Sequence, residues 1–338
     1  MPVKGATLMD VAKAAEVSIA SASRAINGLD NVTAEVRARV LEAATRLHYV
    51  PHWGARSLAM NRTNTIGLLL PDIYGEFFSE IIRGVDAAAR ARGLHLLVSG
   101  SHGDVKDAVA AVRAMGGRVD GLLLMSPFVD SEDLSAVLPL NLPLVTIASR
   151  IGAAHHNAII VDNHEGGVLA TRHLIDSGCR RIAHITGPLE NFEALERRRG
   201  YADAMKIGLP DAELHVHNGD FNEESGYAGV QAFLAEGYVP DGIFAANDMM
   251  AVGALLALKD AGRRVPEDVI VIGFDDIPIA RFTSPPLSTI RVGVREMGRQ
   301  ALDMLVAAID GTGPDGPQSV VISPELIVRD SSMRRRGA

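Results

Sequence analysis

Apolar positions near the start of the chain recur at helical spacing. Leu8, Val11, Ala12 and Ala15 form the first such set. Thr7 stands three residues before Asp10 in capping-box spacing, with Asp where Glu or Gln is usual. Ser18 is a second N-cap, opening "IASASRAI". Thr33 is a third, opening "AEVRARVLEAATRL", where Val36, Val40, Ala44 and Leu47 make one apolar stripe. Pro51 ends the region. The first 50 residues therefore predict three short helices, the first two joined by a tight turn at 15–17, which is the helix-turn-helix pattern.

From Ile66 onward the period changes. Short apolar runs end in polar or small residues, and an amphipathic segment follows each. The runs are "TIGLLLPD", "LHLLVSG", "VDGLLLMSP", "LPLVTIAS", "NAIIVDN", "RIAHITGP", "PDGIFAAND" and "DVIVIGFDD". Continuous apolar strands alternating with helices predict parallel sheets covered on both faces. Eight such strands exceed one comfortable sheet, so two α/β subdomains are expected, with a break near Asn163. Binding chemistry in such sheets lies beyond the C-terminal strand ends. The polar residues there are Asp72, Ser149, Arg150, Asp162, Asn247, Asp248, Asp275 and Asp276. Carboxylates, amides and arginines beside a few aromatics suit a polyhydroxylated ligand, and Phe77, Phe78 and Phe221 can cover the apolar face of a sugar ring, although plain core packing explains them as well.

Two further segments invite a partner. In the second helix Ala22, Ala25 and Ile26 can face inward, leaving Ala20, Ser21, Ser23, Arg24 and Asn27 outside. Small residues let a helix sit deep in a DNA major groove, and an arginine can bridge guanine O6 and N7. The segment "HWGARSLAMNRTN" at 52–64 is too short for a stable isolated helix and carries Gly54. Leu58 within it is either part of an ordinary linker or a wedge for a minor-groove base step.

Charge sharpens this division. Residues 1–62 hold eight Lys/Arg against five acids, whereas the remainder carries a net charge of −11. A basic head on an acidic body suggests that the head alone meets a polyanion. No apolar run approaches the ~18 residues of a membrane span, and "MPVKGATLMD" has no apolar core of a secretory signal. The one cysteine, Cys179, cannot form an internal disulfide and fits a reducing cytoplasm. There is no phosphate-binding Gly-rich loop and no G-x-S-x-G elbow. His155, His156, His215 and His217 lack partners at metal spacing. Neither an enzymatic activity, a metal nor a cofactor is expected. Asp275 and Asp276, adjacent at a strand end, are expected to diverge, so ligand hydrogen bonding suits them better than paired acid/base work.

Eight segments in register resemble the lactose/galactose repressor (LacI/GalR) family of bacterial transcription regulators over essentially the whole chain. They are "TLMDVAKAAEVSIASASRAING", "AATRLHYVPHWGARSLA", "TIGLLLPDIYGEFFSEIIRGV", "DNHEGGVLATRHLIDSGCRRIAHITGP", "RRRGY", "AANDMMAVGAL", "IGFDDI" and "PPLSTI". The resemblance implies an N-terminal all-α helix-turn-helix DNA-binding domain and an α/β periplasmic-binding-protein-like core of two doubly wound parallel-sheet subdomains. It further implies a homodimer that binds a palindromic double-stranded DNA operator and responds to a small-molecule effector, most simply a sugar.

Carried over by position, Ser18, Ile19, Ala20, Ser23, Arg24 and Asn27 would meet the major groove, with Thr7 and Leu8 at the start of the first helix beside them. Asn31, Thr33 and Tyr49 would reach phosphates. Ala55 and Leu58 would enter the minor groove, which favours the wedge over the linker. Asp72, Phe77, Phe78, Arg150, Arg197, Phe221, Asn247 and Asp275 would contact the effector. The chain departs from the family at Ala148, where many relatives place a ligand-binding aspartate. Ser149 or Arg150 could substitute, and an arginine there would suit an acidic or phosphorylated sugar.

The expected organisation is a DNA-binding domain at 1–50, a hinge at 51–63, and two core subdomains, 64–162 with 291–322 and 163–290 with 323–338. A purine-sensing repressor of the same family is the alternative effector reading. A sugar-binding receptor with no DNA role is the alternative function.

Overall fold

The computed structural model describes residues 6–49, 62–126, 138, 142–149 and 156–334. It divides into two compact units, Met1–Thr63 and Asn64–Ala338.

In the first unit, α1 (Leu8–Ala14), α2 (Ile19–Ile26) and α3 (Ala34–Arg46) each start at a side-chain cap. Thr7 and Asp10 form a reciprocal capping box, Ser18 accepts from the Ser21 N–H at 3.0 Å, and Thr33 accepts from the Val36 N–H. These caps satisfy N–H groups that a helix start leaves open. The turn between α1 and α2 places Glu16 in the left-handed region (φ 56°), closed by the Val17 N–H on the Ala12 carbonyl at 3.0 Å. Val11, Ala12, Ala15, Ala22, Ala25, Val40 and Ala43 form a small buried core. Their small volumes let the three helices approach closely.

Among the described residues the second unit contains two six-stranded sheets. The first has the order β11 (Ser319–Ile322), β5 (Asn157–Val161), β4 (Leu144–Ile147), β3 (Gly121–Met125), β1 (Thr65–Leu70), β2 (His95–Gly100), and all its pairings are parallel. The second has the order β12 (Glu325–Ile327), β10 (Ser288–Arg291), β9 (Ile270–Asp275), β8 (Gly242–Ala245), β6 (Ile182–Thr186), β7 (His215–Asn218), with β12 antiparallel to β10. In the first half α4 (Glu76–Arg90) and α5 (Val105–Met115) connect β1, β2 and β3. In the second, α6 (Asn163–Asp176), α7 (Phe192–Gly208), α8 (Glu223–Ala235) and α9 (Asp248–Asp260) alternate with the strands. The chain passes to the second sheet after β5, returns through α10 (Val294–Ile309), which packs on α4, and crosses again between β11 and β12.

Four strands escape the hydrophobic pattern. β7 reads "HVHN", β10 reads "STIR", and the edge strands β11 and β12 are short. Nor are all expected strands covered on both faces: β2 lies at a sheet edge with His95, Leu97 and Val98 exposed. Edge position explains its polar ends and weaker patterning. Central strands β1, β3, β6, β8 and β9 are buried almost throughout, as continuous apolar runs require.

Close helix contact sets where the cleft residues sit. α6 and α7 touch at Gly167 and Gly200, where an added Cβ would collide with the carbonyl oxygens of Arg197 and His164 respectively. Tyr201 is fully buried beside this contact and donates to the Ile182 carbonyl at 2.9 Å.

Candidate functional site

Two surfaces hold the residues singled out in the sequence. The first is the outer face of α2. Ser18, Ile19, Ala20 and Arg24 are exposed, with Ile19 half uncovered at 50 %. None of the described hydrogen bonds or ion pairs engages the Arg24 side chain. Ser23 is half-buried and accepts from Asn27 Nδ2 at 3.3 Å, so Asn27 also closes the C-terminus of α2. Arg37 on α3 donates to the Leu29 carbonyl at 2.6 Å and fixes the loop that carries Asn31. Asn31 and Thr33 are exposed, Tyr49 and Leu8 pack partly against the small core, and Thr7 caps α1. Ala55 and Leu58 lie outside the described residues.

The second surface is a cleft of about 580 Å³ in the core unit. Seven of the eight expected effector residues line it: Asp72, Phe77, Phe78, Arg197, Phe221, Asn247 and Asp275. Arg150 lies outside the described residues. Asp72 follows β1, and Phe77 and Phe78 open α4, their rings edge-to-face at 5.4 Å. Asp275 ends β9, Asn247 caps α9, Arg197 projects from α7, and Phe221 precedes α8. Loops after strand ends thus deliver most of the lining.

Arg197 is buried and heavily engaged. Its Nε donates to Asn163 Oδ1 at 2.7 Å and Nη1 donates to the Ala246 carbonyl at 2.6 Å. Its guanidinium lies 3.8 Å from the Phe274 ring centroid, a favourable cation–π arrangement. Nη2 sits 3.8 Å from Asp275 Oδ1, beyond hydrogen-bond distance. That carboxylate oxygen is buried and receives no hydrogen bond from the described residues. Burial pushes the Asp275 carboxyl up to about 7; Arg197 opposes the rise and Glu193 adds to it. Asp275 (φ 109°) and Phe221 (φ 71°) both hold backbone conformations that side chains rarely adopt, a form of strain that clusters at functional sites.

Asn247 plays a positioning part. Its Oδ1 accepts from the Met250 N–H at 2.9 Å and its Nδ2 donates to the Phe221 carbonyl at 2.8 Å.

The other strand-end acids divide by environment. Asp162 caps α6. Asp248 is fully buried, accepting from Thr289 Oγ1 at 2.5 Å and the Ile277 N–H at 2.9 Å. Burial raises its pKa first, and the Asp275 charge second. Asp276 turns away from Asp275 and binds Arg291 and Arg329. These three are structural anchors. Ala148 and Ser149, at the end of β4, are buried.

Cys179 is buried and donates to the Asp241 carbonyl at 3.2 Å, and burial pushes its thiol up to about 12. A thiol so protonated is a poor nucleophile. Among the described residues no group of three or more His, Cys, Asp or Glu is arranged for a metal, and no helix is long and apolar enough to cross a membrane.

The sequence reading missed Glu193 and Asn163. Glu193 is buried in the cleft, four residues before Arg197 on the same helix, and accepts from Asn163 Nδ2 at 3.2 Å. Burial raises the Glu193 pKa, with Arg197 and Asn163 opposing. The i, i+4 spacing was the available signal. Tyr74, His102, Asn191, Asp220 and Glu224 also line the cleft.

Residues 7–52 match the model of bacterial regulatory proteins, lacI family, and residues 171–332 match a periplasmic binding protein-like domain. The ribose operon repressor of Haemophilus influenzae is 36 % identical over 332 residues, covering 96 % of this chain and 98 % of that protein. The chain belongs to the lacI family. An HTH-type transcriptional repressor PurR of Escherichia coli is 37 % identical over 333 residues, covering 96 % of each chain. The crystal structure of the lac repressor dimer bound to operator and the anti-inducer ONPF superimposes with TM-score 0.86 at 29 % identity, covering 98 % of this chain and all of that one. This lacI-family chain is a ligand-responsive, DNA-binding transcriptional repressor with a helix-turn-helix head and an α/β core.

Proposed function

We propose that this repressor acts as a homodimer on a palindromic operator and that a small sugar-like effector, held in the cleft of each core, changes its affinity for DNA. The observation that carries the effector reading is the buried Asp275 Oδ1, which no described residue hydrogen-bonds, beside Arg197 and Phe221 in a cleft of about 580 Å³, a volume usual for small-molecule sites. Hydroxyl groups are suited to donate to such an oxygen, and Phe77, Phe78 and Phe221 offer apolar ring faces. The relative named as a ribose operon repressor supports the sugar class. A nucleobase effector is the second reading, since the Phe221 ring in the cleft can stack on a base as well as on a sugar.

In this reading Ile19, Ala20, Ser23, Arg24 and Asn27 face the major groove, with Ser18, Thr7 and Leu8 at its edge. Asn31, Thr33 and Tyr49 reach phosphates. A hinge at 51–63 carries Ala55 and Leu58 into the minor groove and joins the head to two core subdomains, 64–162 with 291–322 and 163–290 with 323–338. The two halves of the core meet at Glu76 Oε2, which accepts from the Ile279 N–H at 2.8 Å. A ligand closing the cleft would bias the relative orientation of the halves and so the population able to bind DNA.

Thermal unfolding against neutral sugars, sugar acids, sugar phosphates and nucleobases tests this. A ligand at a hundred times its dissociation constant adds about 2.7 kcal/mol, enough to raise the midpoint by several degrees. The expected result is a rise with one sugar class that Phe221→Ala abolishes. A rise confined to nucleobases replaces the sugar reading with the second one, and a rise that survives Phe221→Ala removes the cleft as the site.

A further inference from the structure

Among the described residues the lining of the cleft is acidic. Glu193 and Asp275 are buried within it, while Asp72, Asp220 and Glu224 stand exposed at its mouth. Among the described lining residues Arg197 is the one arginine or lysine and His102 the one histidine. Among the described residues Arg197 thus faces two buried carboxyl groups, and two of its nitrogens already donate to Asn163 and Ala246. Asp275 is 4 % exposed and its Oδ1 receives no hydrogen bond from the described residues. A buried carboxylate oxygen without a donor is an incomplete arrangement.

The aromatic side chains decide what completes it. Tyr74, Phe77, Phe78 and Phe221 line the same cleft. Carboxylates beside aromatic faces recognise cations, through charge and through the negative face of the ring. A ligand hydroxyl can donate to Asp275 Oδ1, but it brings no positive charge to a space that also holds the buried carboxyl of Glu193. An ammonium group supplies both the donor and the charge. A phosphate or carboxylate would add a further negative charge to the same space.

We propose that the effector is an amino sugar, and that Glu193 together with Asp275 selects its protonated amine over the hydroxyl of the neutral sugar. This rests on the cleft being the effector site.

Isothermal titration of the full-length protein tests it with three matched pairs: D-glucosamine and D-glucose, D-galactosamine and D-galactose, D-mannosamine and D-mannose. D-glucose 6-phosphate is the anionic control. The expected result is that one amine binds about tenfold or more tighter than its neutral partner. The phosphate does not bind, and Glu193→Gln erases the preference. Glu193→Gln keeps the side chain's shape, and its ligand-free thermal midpoint is expected at or above the parent's because excess negative charge is relieved. A lowered midpoint assigns Glu193 a structural role and overturns the proposal. So does silence with all three amines, a neutral sugar binding as tightly as its amine, binding of the phosphate, or a preference that survives Glu193→Gln. Phe221→Ala separates this failure from failure of the cleft reading. A neutral sugar that binds the parent but not Phe221→Ala keeps the cleft and removes the amine. Binding that survives Phe221→Ala removes the cleft itself.

Discussion

Asn247 Nδ2 donates to the Phe221 carbonyl at 2.8 Å while Asn247 Oδ1 accepts from the Met250 N–H at 2.9 Å. One side chain therefore starts α9 and pins the backbone of an aromatic residue held at φ 71°. Asn247→Ala is expected to cost about 1 kcal/mol through the lost cap, a fall of about 2–4 °C in thermal midpoint for a unit of this size. It should also weaken effector binding by freeing Phe221. Differential scanning fluorimetry reads the first effect; an unchanged midpoint would show that the cap contributes nothing.

The Asp275 carboxyl gives a pH dependence of defined sign. Burial holds it at about 7 in the folded protein, against about 3.9 in an unfolded chain. Between those values the folded state keeps a proton that the unfolded state releases. The stability tied to this group is therefore complete below about pH 4 and declines as pH rises to about 7. Asp275→Asn stays uncharged throughout. Its stability relative to the parent is expected to grow over that window to the order of a few kcal/mol, then level off. Urea unfolding at several pH values checks this, and a difference independent of pH would contradict it.

Arg24 stands exposed on α2. If it bridges a guanine in the major groove, Arg24→Ala costs about 1–3 kcal/mol at that base position and relaxes the preference there. Binding to a set of operator variants reads this out. A uniform loss across all sequences, with the salt slope reduced by about one, would make Arg24 a phosphate contact.

The contact of α6 with α7 leaves no room at Gly200, because an added Cβ would collide with the His164 carbonyl oxygen. Gly200→Ala is expected to destabilise the core by about 1–3 kcal/mol through overpacking. It should also loosen effector binding, since α7 carries Arg197 and Glu193. A variant as stable as the parent, by chemical denaturation, would show that the helices can part without penalty.

Local chemistry explains which parts were legible in the sequence. Thr7, Ser18 and Thr33 mark helix starts by capping, an interaction within four residues. Central strands announce themselves because both faces are buried. β7 and β10 do not: "HVHN" finds its place by stacking His215 on Tyr238, and "STIR" through Ser288 and Thr289 bonding to Ser331, Ser332 and Asp248. Those partners are distant in sequence, and no periodicity encodes them. The cleft was legible where strand ends carry aromatic or acidic residues. Asp248 and Asp276 shared that signature yet anchor the fold, since burial and arginine partners assign their roles. Glu193 lay in the charged run "ENFEALERRR", which reads as a solvated face until α7 packs against α6.

The most direct test of the account is operator binding with and without effector. DNA fragments selected by the protein from its genome, and the ligand identified by titration, would be used in fluorescence anisotropy with the parent and Phe221→Ala. The account predicts that the ligand shifts the parent's operator affinity by about 5–150-fold, the usual range of allosteric coupling. Phe221→Ala should bind the operator as the parent does and show no shift. A ligand that occupies the parent's cleft yet leaves operator affinity unchanged would contradict it.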